Sequence, residues 1–144
     1  MPTRTLQSIV SQRALVIGSP TMTVYDAAVA MREKGVGSVV VEENGALAGI
    51  FTERDLLNRV VAAGKDPEST TLDDVMTKDV IGLESDKPLS HALHLMHQHT
   101  FRHVPVLQQG KPIGMVSARD ALGIEWQQFQ REIKLADDIA EILA

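Results

Sequence analysis

The stretch GIFTERDLL runs from Gly49 to Leu57, and GMVSARDAL runs from Gly114 to Leu122. Each reads glycine, two apolar residues, a hydroxyl residue, a variable residue, Arg-Asp, and a segment closing on Leu. Internal repeats decide architecture before any single element does. Shifting the chain by 65 residues aligns Val16–Leu57 with Ile81–Leu122 without a gap. Ala27 falls on Ala92, Met31 on Met96, Val39 on Val104, Val41 on Val106, Gly45 on Gly110, and Arg54-Asp55 on Arg119-Asp120. The chain is a duplication.

Outward from the motif, each copy reads the same way. TVYDAAVAMREKG places Val24, Ala27, Ala28 and Met31 on one helical face. Thr23 with Asp26 resembles a capping box with Asp in place of Glu or Gln, and Gly35 is a stop signal. SVVVEENGALAGIFT then predicts a β-hairpin turning at Asn44-Gly45. ERDLLNRVVAAG predicts a helix with Leu56, Leu57, Val60 and Val61 inward. The second copy repeats the order with PLSHALHLMHQH, HVPVL, the turn QQGK, and IGMVS. A short extended segment (ALVI or DVIGL) leads into each copy. GKDPESTTLDD is polar and reads as a surface linker, and EWQQFQREIKLADDIAEILA as a longer terminal helix. One such unit is too small to bury its own sheet face. The expected fold is mixed α and β: two β-α-β-β-α units, residues 8–66 and 72–124, packed about a pseudo-twofold axis, with a C-terminal amphipathic helix over 125–144.

Composition narrows the function classes. The 144 residues are 44% hydrophobic, enough for a globular core. There is no cysteine, which excludes disulfides, zinc-thiolate sites and thiol nucleophiles. A net charge of −5 argues against a sequence-blind nucleic-acid binder but leaves room for a local basic cluster and a small anionic ligand. No run of 18 apolar residues predicts a membrane span, and MPTRTLQSIVSQR lacks the apolar stretch of a signal peptide. The expectation is a cytoplasmic protein with no membrane partner.

The repeated motif has two physical readings. Thr52 or Ser117 is placed to cap a helix, with Asp55 or Asp120 as the capping-box acid. The same geometry offers a phosphate a helix N-terminus and a hydroxyl, and offers vicinal ribose hydroxyls a carboxylate. The strands VVV and VPV add an apolar wall for a base. The two copies meet at the pseudo-twofold axis, so function is expected where they face each other.

The ordered set of motifs over residues 8–124 resembles a tandem pair of CBS domains. That resemblance implies two pseudo-symmetric clefts that bind AMP, ADP, ATP or S-adenosylmethionine. The pattern glycine, apolar, any, Thr or Ser, two residues, Asp maps onto Gly49, Ile50, Thr52 and Asp55, and onto Gly114, Met115, Ser117 and Asp120. It implies ribose on the Asp and the hydroxyl residue near ribose or phosphate. It further implies Arg102 and His103 at the phosphates, Val16 and Val36 at the adenine of the Asp120 site, and Ile81 and Phe101 at that of the Asp55 site. The first copy departs from this set, with Gly37-Ser38 where the second has Arg102-His103. Arg13 or Lys78 is the cation that the sequence offers to the first cleft.

Other features carry less. All five histidines lie between His91 and His103, and His91, His94 and His97 share one helical arc opposite Leu89, Ala92, Leu93 and Met96. That is a polar face first and a metal-responsive site second. Trp126, Phe129, Ile133, Ala136, Ala140 and Leu143 form a heptad-like stripe, suited to the chain's own core or to a homodimer. There is no G-x-S-x-G, P-loop or H-E-x-x-H, so no enzyme is expected. The expected function is a regulatory module that binds an adenosine ligand, needs no cofactor, and is read by an effector protein. The rival is a ligand-free interaction module whose motifs are helix caps only.

Overall fold

A computed structural model describes residues 4–144. The reading of residues 1–13 as lacking a leader falls in part on residues 1–3, which lie outside the described residues. No described helix is long and apolar enough to cross a membrane.

Each copy builds one three-stranded sheet. In the first, β1 (Ile17–Gly18) runs parallel to β2 (Ser38–Glu43), which pairs antiparallel with β3 (Ala46–Thr52). In the second, β4 (Leu83–Glu84), β5 (His103–Gln108) and β6 (Lys111–Ser117) repeat that order. Ser38 faces Thr52 and His103 faces Ser117, and each hairpin shifts register at the same place, Val41/Glu42 and Val106/Leu107. The 65-residue shift is thus preserved down to hydrogen-bond register. Asn44-Gly45 and Gln109-Gly110 close the hairpins with positive φ at both residues, as a tight two-residue turn requires.

The helices α2 (Val24–Lys34) and α5 (Leu89–His99) cover the sheets. Thr23 caps α2 by accepting from the Asp26 amide at 3.1 Å, and Gly35 ends it at φ 66°. After β3, α3 (Glu53–Asp55) continues as a π-helical stretch, Leu56–Val61. Here the expected inward face is corrected. Leu56 and Val60 point to the core, but Leu57 and Val61 are exposed. After β6 there is no matching helix, only a 3-10 turn, Ala118–Asp120. The terminal helix α6 (Gly123–Leu143) takes the missing helix's place over the second sheet.

The linker reading also needs correction at one end. Lys65, Asp66, Glu68 and Ser69 are exposed, but the short helix α4 (Leu72–Val75) buries Leu72 and Val75 in the first unit's core. Its counterpart α1 (Leu6–Val10) buries Leu6, Ile9 and Val10 in the second unit's core. Each copy's leading helix is therefore packed on the other copy's sheet. Truncating fully buried Leu6 or Leu72 to Ala is expected to cost roughly 2–5 kcal/mol. This exchange explains the motif glycines. A Cβ at Gly114 would lie 2.5 Å from the Cβ of Val10, and one at Gly49 would lie 2.6 Å from the Thr77 carbonyl oxygen. Helix α1 crosses β6, and the chain leaving α4 crosses β3, too closely for a side chain.

Candidate functional site

Residues of both units line one cleft of about 1040 Å³, a volume at the upper end for small-molecule sites. Ser117, Arg119 and Asp120, at the end of β6, form one side. Leu15, Met31 and Val36 of the first unit form the apolar wall opposite. Arg102 and His103 meet Gly37 and Ser38 in the middle, and Thr52, Glu53 and Arg54 close the far end. Five guanidinium groups line the cleft (Arg13, Arg32, Arg54, Arg102 and Arg119) against the carboxylates of Glu53 and Asp120. A surplus of three positive charges thus gathers in a chain whose net charge is −5.

Asp120 is held from three directions. Its Oδ2 accepts from the Ser117 amide at 2.7 Å. Its Oδ1 pairs with Arg13 Nη1 at 2.7 Å. Its carbonyl accepts from Arg4 Nη2 at 2.7 Å, while the same guanidinium pairs with Glu125 at 2.6 Å. Arg4 and Arg13 flank α1, so the exchanged helix fixes this carboxylate in the cleft. Two ligands on a carboxylate leave lone pairs for two further donors. The Ser117 hydroxyl lines the cleft and makes no hydrogen bond among the described residues.

The first motif is closed on itself. The Thr52 amide donates to Asp55 Oδ2 at 3.0 Å, the Thr52 hydroxyl donates to the same oxygen at 3.3 Å, and the Asp55 amide donates to Thr52 Oγ1 at 3.3 Å. Arg59 lies 3.6 Å from Asp55 Oδ1. The Glu53 amide donates to the Gly37 carbonyl at 3.1 Å. No such bond joins Ala118 to Arg102 among the described residues. Asp55 is buried and does not line the cleft.

His103 is half-buried between the two halves. Burial pushes its pKa below the ordinary value. Arg119 and Arg102 push the same way, while Asp120 and Glu53 oppose them.

The structure thus brings together Val36, Thr52, Arg102, His103, Ser117 and Asp120, and leaves four expected residues out. Val16 is buried in the first core, and the cleft is lined instead by its neighbours Ala14 and Leu15. Ile81 and Phe101 lie outside the lining, and the Phe101 ring stacks on His99 at 5.3 Å. Asp55 is taken up by its cap. The cation offered to the first cleft is not there either. Arg13 sits on Asp120, and Lys78 pairs with Asp73 at 3.2 Å on the surface. The helix N-terminus expected after Ser117 is only the three-residue turn. Sequence reasoning missed the roles of Arg4, Arg13 and Glu53. No motif in the sequence marks Arg4 or Glu53, and the sequence offers Arg13 only to the first cleft.

The histidine arc is not a plain solvent face. His94 Nε2 lies 2.6 Å from Glu132 of α6, and His94 and His97 both meet the Phe129 ring edge-on. No group of three or more metal-binding side chains occurs among the described residues. On α6, Phe129 is buried and Ile133 packs beside it, whereas Leu135, Ile139, Ile142 and Leu143 are exposed.

A family model for the CBS domain matches residues 8–62 and 72–125. The chain belongs to the CBS-domain family and carries two of its repeats. It is 42% identical over 118 residues to the uncharacterized protein MK0525 of Methanopyrus kandleri, covering 81% of this chain and 60% of that one. The chain therefore spans well under two thirds of that relative's length. The crystal structure of the CBS-domain containing protein ATU1752 from Agrobacterium tumefaciens is similar at a TM-score of 0.69 and 29% identity, over 81% of this chain and 95% of that one. Two structures at 22% identity share the fold. The Pyrobaculum aerophilum protein PAE2072, complexed with AMP, has a TM-score of 0.77 over 89% of this chain and 99% of that one. The CBS domain pair of protein MJ0100, in complex with 5-methylthioadenosine and S-adenosyl-L-methionine, has 0.69 over 83% and 93%.

Proposed function

We propose that this CBS pair is a non-catalytic regulatory module that binds an adenine nucleotide in the half of the cleft built on Asp120. The observation that carries the reading is the cluster of arginines around a positioned carboxylate and an unpartnered hydroxyl, facing an apolar wall, in an acidic chain. Asp120 accepts from the ribose hydroxyls, Ser117 binds at the ribose or first phosphate, Arg102, His103 and Arg119 hold the phosphate, and Leu15, Met31 and Val36 pack on adenine. The AMP and S-adenosylmethionine complexes of the two fold relatives support an adenosine ligand. The surplus positive charge favours AMP, ADP or ATP over the cationic S-adenosylmethionine. The half on Asp55, whose carboxylate is held in its cap, is the weaker of the two.

Ligand binding signals by favouring one arrangement of the two units, which requires different affinities for the two arrangements. Two copies join through the exposed second half of α6, where Leu135, Ile139 and Ile142 follow heptad spacing. Ile139→Lys should yield monomers in sedimentation. The test of the ligand is thermal unfolding with AMP, ATP and S-adenosylmethionine. Ligand at 100 times Kd adds about 2.7 kcal/mol and raises Tm. No shift with any of the three overturns the reading in favour of a ligand-free interaction module.

A further inference from the structure

The cleft is continuous, but its charge is not evenly spread. At the Asp120 end, Arg13, Arg102 and Arg119 outnumber the single carboxylate. At the far end, Arg54 is matched by Glu53, and Gly37 and Ser38 stand where the other half has Arg102 and His103; the fifth arginine, Arg32, stands on α2 next to Met31 of the apolar wall. The residue equivalent to Glu53 at the 65-residue shift is Ala118. A carboxylate therefore occupies one half at a position where the other presents a methyl group.

That carboxylate has a defined place. A Cβ on Gly37 would lie 3.1 Å from Glu53 Cδ and Oε1, so the side chain is folded over the Gly37 backbone. The Glu53 amide bonds the Gly37 carbonyl, which fixes the start of the side chain. No cation lies within ion-pair distance of Glu53 among the described residues, although Arg54 lines the same end. The field of Glu53 reaches His103, as does that of Asp120 from the other side. His103 thus lies within reach of both carboxylates and lines the cleft with Glu53 and Asp120.

We propose that Glu53 sets the length of phosphate chain the cleft accepts, so that a nucleoside monophosphate binds in preference to a triphosphate. The inference rests on the nucleotide reading above. A phosphate on adenosine held at Asp120 ends among Arg102, His103 and Arg119. A second and third phosphate run on toward Glu53, where the backbone of Gly37 and Ser38 supplies no cation and Arg54 is offset by the carboxylate. Like charges at close range in a partly desolvated cleft repel, and the terminal phosphates meet that repulsion while the first does not.

The test is calorimetric titration of AMP and ATP, in chelator to exclude divalent cations, into wild type, Glu53→Gln and Asp120→Ala. Wild type should bind AMP about tenfold more tightly than ATP, and Glu53→Gln should tighten ATP about tenfold while leaving AMP within about twofold. Gln keeps the size of the side chain, and circular dichroism checks the fold. If Glu53→Gln leaves the AMP:ATP ratio unchanged, or shifts both ligands together, the inference is wrong and the nucleotide reading stands. If wild type binds no AMP, or binds it equally well in Asp120→Ala, the nucleotide reading fails and this inference fails with it.

Discussion

The two copies of the motif carry a hydroxyl residue at the same place, Thr52 or Ser117, the same Arg-Asp pair and the same strand register, and they are bonded differently. In the first, Thr52 and Asp55 satisfy each other through three hydrogen bonds, and the Gly37–Glu53 bond extends the ladder beyond them. In the second, only the Ser117 amide bonds Asp120, and the other carboxylate oxygen is held by Arg13 from a distant segment. The helix that follows explains the contrast. After Asp55 the chain winds directly into the π-helical stretch and needs a cap. After Asp120 it makes a three-residue turn and starts α6 at Gly123, so Asp120 keeps its bond to the Ser117 amide but caps only that short turn and lines the cleft. A repeated motif is thus a repeated geometry, and its neighbours decide whether the carboxylate is closed in its cap or open to the cleft.

The largest effect should come from the residues that most distinguish the halves. Arg102→Gln removes a charge-assisted contact worth about 1.5–3 kcal/mol, roughly a tenfold to hundredfold loss of AMP affinity by calorimetry. A silent Arg102→Gln would break the comparison.

The glycines test what the halves share. Gly114→Ala presses a methyl group onto Val10, and Gly49→Ala presses one onto the Thr77 carbonyl. Each should lower stability by about 1–3 kcal/mol in urea unfolding. Only Gly114→Ala should also weaken AMP, because it displaces α1 and with it Arg4 and Arg13. Equal effects of the two substitutions on AMP binding would contradict the role given to α1.

The smallest effect is a pH dependence. Burial lowers the His103 pKa, so the imidazole is neutral at pH 7 and its protonation begins below the ordinary value of about 6.5. Protonation adds a cation beside the phosphate, so AMP affinity should rise several-fold as pH falls from 6.5 toward 5 and stay flat above. The lowered pKa also means that the unfolded chain binds the proton more readily, so His103 lowers stability over the same acid range. The phosphate itself titrates near pH 6. The informative quantity is therefore the difference between wild type and His103→Gln, and identical pH profiles would remove His103 from the phosphate site.

Much of this was legible from residues alone. The hairpins, their turns and the cap on α2 follow from periodicity, turn chemistry and the 65-residue shift, whereas the proposed set at Arg102, His103, Ser117 and Asp120 comes from the resemblance to CBS pairs. What was not legible depends on contacts distant in sequence. The shift shows that α1 and α4 are equivalent but not that each packs on the other copy's sheet, so Arg4 and Arg13 gave no sign of reaching Asp120. Leu57 and Val61 were expected inward with Leu56 and Val60, but only one residue of each pair reaches the core. Val16 was expected at the adenine and lies in the core just ahead of β1, since which side of that short extended segment is buried depends on what packs over it.

If Asp120 binds the ligand and Asp55 only caps a helix, one experiment separates the two carboxylates. It is calorimetric titration of AMP into wild type, Asp120→Ala and Asp55→Ala, with urea unfolding of each. Asp120→Ala should lose the tight binding event by at least about a hundredfold while staying folded. Asp55→Ala should keep that event and lose about 1–2 kcal/mol of stability. Loss of tight binding in Asp55→Ala, with Asp120→Ala unaffected, would contradict the assignment of the two halves.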